Sequence, residues 1–95
     1  MFNNQRYVTR GITNTVPLVT QIILWDCIDS MKVERKDYLQ VFKLIANGEN
    51  QQVTHCQDEP AYERTFTFPT DNPITAKIFV IDDETHTTML LAEEY

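Results

Sequence analysis

Between Leu18 and Met31 apolar residues recur three and four positions apart, and from Tyr38 onward they gather in short runs bounded by turn residues. The first pattern predicts a helix, and the second predicts strands. Leu18, Ile22, Leu24, Trp25, Ile28 and Met31 share one broad face at about 100° per residue, with Val19 and Ile23 outside it. Asn14 or Thr15 suits the N-cap and Pro17 the first turn. Ahead of the helix, Tyr7 to Thr13 reads as a strand ending near Gly11. Lys32 to Lys36 reads as a solvated connection.

The remainder predicts five strands. Tyr38 to Ala46 and Gln51 to Gln57 flank the turn signal Asn47-Gly48. Tyr62 to Phe68 follows the break at Pro60. Pro69 to Pro73 is a loop by its turn residues. Lys77 to Asp82 and His86 to Ala92 are joined by an acidic turn. Short connections favour antiparallel pairing. The expected fold is α+β, ordered β-α-β-β-β-β-β. It is one domain over residues 1–95, a mostly antiparallel curved sheet of five to six strands with one helix packed on one face.

Several strands are apolar on both sides. Tyr38, Phe42 and Leu44 oppose Leu39, Val41 and Ile45; Phe79 and Ile81 oppose Ile78 and Val80; Met89 and Leu91 oppose Leu90 and Ala92. A single helix of about 15 residues spans ~22 Å and covers one face. The second face then curls around its own side chains, pairs with a second copy, or receives another partner.

Composition narrows the function classes. The 95 residues include 14 acidic and 8 basic ones, for a net charge of −6. Direct nucleic-acid binding is disfavoured by that sign, and so is an anionic membrane surface. No stretch approaches the ~20 apolar residues of a membrane-spanning helix. The first residues lack the apolar core of a signal peptide. Cys27 and Cys56 match no metal-ligand spacing and no dense disulfide framework, which points to the cytoplasm with both thiols reduced.

No phosphate loop, nucleophile elbow or metal-binding motif is present, so no catalytic residue, cofactor or metal is expected. Candidate interaction residues remain. His55 and Cys56 point to opposite faces of one strand and cannot pair locally, though His55 could meet Cys27 in space. His86, with Asp82, Asp83 and Glu84, offers imidazole and carboxylates in the manner of a divalent-cation site; the plainer reading is a wet hairpin turn. Arg6 and Arg10 would share a strand face and could hold an anion, or simply pair with the protein's own carboxylates. Asp58-Glu59 with Glu63, and Glu93-Glu94, extend the acidic surface, which could mimic a phosphate backbone. Trp25 reads as core.

Four segments carry a family resemblance: Arg6-Tyr7-Val8-Thr9-Arg10-Gly11-Ile12, Asp37-Tyr38-Leu39-Gln40-Val41-Phe42, Lys77-Ile78-Phe79-Val80-Ile81-Asp82-Asp83, and Thr88-Met89-Leu90-Leu91-Ala92-Glu93-Glu94-Tyr95. With His55-x-Gln57-x-x-Pro60-x-Tyr62, they resemble a family of uncharacterised Gram-positive bacterial proteins, domain-of-unknown-function family nine-sixty. The likeness runs from Arg6 to Tyr95. It implies a stand-alone bacterial cytosolic protein that could travel on mobile elements, and it marks a lineage and not a chemistry. The expected function is a non-enzymatic interaction or regulatory module, dimeric or bound to another protein. The alternatives are a small-ligand protein or enzyme built on His55 and Arg10, and an acidic inhibitor of a nucleic-acid-binding protein.

Overall fold

The structure, a computed structural model, describes residues 2–95. The chain runs β1 (Gln5–Val8), α1 (Arg10–Thr15), α2 (Leu18–Asp29), β2 (Leu39–Asn47), β3 (Asn50–Gln57), β4 (Tyr62–Pro69), β5 (Ala76–Asp82) and β6 (His86–Leu91), and closes with a 3-10 turn at Ala92–Glu94. The six strands form one open sheet in the order β1-β6-β5-β2-β3-β4. All pairings are antiparallel except β1 with β6, which is parallel. The α+β class and the five later strands agree with the pattern of apolar runs.

Sequence chemistry sets the local joints. Gly48 turns β2 into β3 with φ 63, a left-handed conformation that glycine adopts without steric cost. The β4–β5 connection must pass the ends of β3 and β2. Gln51 clamps it there, accepting from Ile74 N at 2.8 Å and donating to Ile74 O at 2.9 Å.

Both helices lie on one face. Ile12, Val16, Leu24, Cys27 and Ile28 pack there against Phe42, Leu44, Val53, Ile78, Val80, Met89 and Leu91. The strand residues of this set alternate with the residues of the opposite face, as the period of two requires.

Two expectations need correction. The strand expected over Tyr7 to Thr13 ends at Val8, and Arg10 opens a helix. Thr9 caps that helix, its Oγ1 accepting from Ile12 N at 3.3 Å, which ends the extended run despite its β-branched residues. Arg6 and Arg10 therefore share no strand face. Asn14 and Thr15 close α1, and Pro17 takes the N-cap position of α2.

The face of α2 is also rotated from the one expected. Thr20, Gln21, Leu24, Cys27 and Ile28 are buried, whereas Leu18, Val19 and Ile22 are 68%, 66% and 57% exposed. Apolar residues occur all round α2, so their spacing selects no single side. Packing selects it, with Gln21 Nε2 donating to Val16 O at 2.9 Å inside the core. Trp25 is half-buried against the core.

Candidate functional site: the open face of the sheet

The second face of the sheet carries no helix. On it Leu39 stands opposite Ile81, Val41 opposite Phe79, and Phe79 opposite Leu90. These five form an apolar shelf across β2, β5 and β6. Leu39, Val41, Phe79 and Ile81 are half-buried, and Cys56 extends the shelf onto β3 opposite Val41. One corner is closed by the C-terminal turn, where the Tyr95 ring meets Phe79 edge-on with centroids 5.8 Å apart. Leu90 is buried beneath that corner.

Beside the shelf, Lys43 of β2 stands directly opposite Lys77 of β5. Like charges placed directly across a strand pair destabilise a sheet. No carboxylate among the described residues lies within ion-pair distance of either lysine. Lys77 Nζ instead lies 5.6 Å from the Phe79 ring centroid. In a chain with 14 acidic residues this is a local rule broken without an evident internal gain. At the far end of the same face, Tyr7, His86 and Thr88 line a depression of about 380 Å³.

The residues singled out from sequence are dispersed. Arg6 grips Asp29 with two hydrogen bonds, 2.5 and 3.1 Å, and its guanidinium covers the Trp25 ring. That pairing lowers the Asp29 pKa below its ordinary value. It pins β1 to α2 and occupies the guanidinium. Arg10 is exposed at the start of α1.

His55 is fully buried in β3, stacked on Phe42 with centroids 4.3 Å apart and flanked by Tyr62. Its Nε2 meets Gln40 Oε1 at 2.7 Å. Gln40 Nε2 donates to Gln57 Oε1 and to Asp37 O, so Gln40 Oε1 is the acceptor and Nε2 of His55 carries the proton. Nδ1 has no partner among the described residues. Burial, helped by the nearby Arg64 charge, pushes the His55 pKa down to about 4. The ring is thus a neutral member of a core network.

His55 and Arg10 do not converge. The strand β6, against which α1 rests, is separated from β3 by β5 and β2. Cys27 is a buried thiol whose pKa burial raises to about 11. It stays protonated at neutral pH and is a poor nucleophile.

The acidic turn is used internally. Asp82 is buried and accepts from Thr87 Oγ1 at 2.5 Å, Phe2 N at 3.2 Å and Asn4 Nδ2 at 3.4 Å. Asp83 Oδ1 accepts from the backbone N–H groups of Thr85 and His86, which lower the Asp83 pKa. His86 Nε2 lies 3.3 Å from Asp83 Oδ2. Glu84 is exposed, and its backbone oxygen lies 3.5 Å from Asn4 Nδ2. His55 faces the helices while His86 lies on the other face, so the two rings do not approach. Among the described residues no three His, Cys, Asp or Glu side chains gather as a metal site.

Residues 5–94 match the family of Staphylococcal proteins of unknown function (DUF960). The chain belongs to this family. The DUF960 fold is also seen in the crystal structure of a protein of unknown function from Enterococcus faecalis. That protein is 25% identical, with a TM-score of 0.84, over 98% of this chain and 92% of that one. No curated protein matches the chain. For this DUF960 chain, Lys43 and Lys77 are the residues that sequence reasoning missed. The surplus of apolar residues on β2, β5 and β6 signalled a second apolar face without telling which one the helices leave open. The lysine opposition appears only once β2 and β5, far apart in sequence, are known to be neighbours.

Proposed function

We propose that this protein is a non-enzymatic, cytosolic protein-interaction module that docks its partner on the open face of the sheet. The partner chemistry that fits is an apolar segment flanked by carboxylates. Its apolar side chains would cover Leu39, Val41, Phe79 and Ile81, and its carboxylates would neutralise Lys43 and Lys77. The opposition of those two unpaired lysines beside an apolar shelf carries the reading. Two free cysteines, one buried and one half-buried, support a reducing compartment. Among the described residues no helix is long and apolar enough to cross a membrane.

The test uses one substitution with two opposite effects. Lys43→Glu replaces a cross-strand repulsion by an attraction with Lys77, which should raise stability by about 0.2–1 kcal/mol. The same change should abolish capture of a partner through a photo-crosslinker placed at Thr54 on the same face. A partner held equally well by the wild type and by Lys43→Glu would show that this face is not the one used. A loss of binding together with a loss of stability would instead indicate damage to the fold.

A further inference from the structure

The sheet has two free edges of unlike character. The β1 edge is only four residues long, and short edges resist pairing with foreign strands. The β4 edge, Tyr62–Pro69, is eight residues long and its burial pattern is mostly exposed. We propose that β4 pairs antiparallel with β4 of a second copy, joining two sheets into one. The β4 edge lies outside the apolar shelf of β2, β5 and β6.

The phase of the free edge follows from one hydrogen bond. Thr70 N donates to Glu49 O at 3.0 Å, continuing the β3–β4 ladder in which Gln51 faces Phe68. Directly opposite residues that bond in this way alternate with pairs that do not. Tyr62, Arg64, Phe66 and Phe68 therefore direct their backbone groups to β3. Glu63, Thr65 and Thr67 direct theirs to the free edge. Pro69 falls in the same outward phase, where its missing N–H costs the monomer no ladder bond.

A two-fold axis through Thr65 makes this edge self-complementary. It sets Thr65 against its symmetry mate and Glu63 against Thr67 of the second copy, all with outward backbone groups. On the helix side it sets Arg64 against the second copy's Phe66 and Tyr62 against its Phe68. These are the side-chain pairs of closest approach, and both kinds, cation over ring and ring with ring, are favourable across strands. Arg64 already lies over its own Phe66, 5.0 Å from the centroid, and Phe66 stacks with Phe68. Shifting the axis to Arg64 would oppose two arginines. Shifting it to Phe66 would set Glu63 against the N–H-less Pro69. The seam leaves both open faces on one side of the joined sheet.

The experiment is light scattering on a sizing column across a dilution series, with cross-linking alongside. The wild type should run as a dimer that dissociates on dilution. Thr65→Lys puts two ammonium groups at the axis and should give a monomer with an unchanged circular dichroism spectrum. In a Cys56→Ser background, Thr65→Cys should cross-link to its mate on mild oxidation. Glu63→Cys should not, because its mate lies four residues along the strand, roughly 13 Å away. A wild-type monomer at every concentration overturns the proposal. So does a dimer that survives Thr65→Lys, or a Glu63→Cys cross-link as efficient as that of Thr65→Cys.

Discussion

Two glutamines and a histidine, Gln40, Gln57 and His55, form one buried polar network where a larger protein could use an apolar core. Gln57 Oε1 accepts from Asp37 N at 2.8 Å and Gln40 Nε2 at 2.7 Å, while its Nε2 donates to Arg35 O and Pro60 O. One side chain thus ties the segment before β2 to the β3–β4 loop. Gln57→Leu would leave two carbonyls and two N–H groups without this partner and should cost about 3 kcal/mol, measured as a lowered urea midpoint. His55 makes the same network sensitive to acid. Its native pKa of about 4 lies below the ordinary 6.5. Above the unfolded pKa both states are neutral and stability is complete. Between 6.5 and 4 the unfolded chain binds the proton and the folded one does not, so stability falls as pH falls. The loss approaches about 3 kcal/mol by pH 4. His55→Gln retains a donor for Gln40 and should remove that slope. Superimposable stability–pH curves for the two proteins would show that burial does not hold His55 neutral.

At the scale of elements, the five later strands were legible, and the first strand and the helices only in part. Strand boundaries follow from Asn47-Gly48, Pro60, the Pro69–Pro73 cluster and the acidic turn, whose turn chemistry is local. α1 depends on a contact from the other end of the chain. Glu94 accepts from Thr9 Oγ1 at 2.6 Å, from Gly11 N at 3.2 Å and from Leu91 N at 2.8 Å. These donors lower the Glu94 pKa. A short run with glycine and β-branched residues has little helical propensity of its own, so no local signal marks it. Gly11 leaves room for the carboxylate, since a Cβ there would lie 2.5 Å from it. Gly11→Ala should therefore fail to give the usual helix-propensity gain in melting temperature. It should become stabilising only in a Glu94→Ala background, a sign change that a double-mutant cycle reads directly. α2 makes a second test of phase. Ile22→Lys on its outward side should change stability by less than about 0.5 kcal/mol. Leu24→Ala, on the buried side, should cost about 2–4 kcal/mol. A loss at Ile22 as large as that at Leu24 would restore the helix face expected from spacing alone, which held both residues.

For the whole molecule, the net charge of −6 separates the two proposed contacts. Two such molecules repel at long range, while the β4 seam is held by backbone bonds and aromatic pairs. Salt screens the repulsion, with a Debye length of about 10 Å at 0.1 M, and leaves the short-range seam nearly untouched. Self-association through β4 should therefore tighten as salt rises. Docking on the open face has the opposite dependence, because it rests partly on attraction between Lys43, Lys77 and carboxylates. A synthetic peptide alternating apolar residues with glutamates is a sufficient probe. Its affinity should fall with salt in the wild type and be lost in Lys43→Glu, while the dimer mass of that variant stays the same, since Lys43 lies two strands from the seam. Measuring the mass and the peptide affinity in one salt series gives two slopes. Slopes of opposite sign assign edge and face to separate roles. A peptide affinity that rises with salt would remove the lysine pair from recognition and leave only the apolar shelf. A dimer that loosens with salt would mean that charge pairs, rather than the strand seam, hold the two copies together.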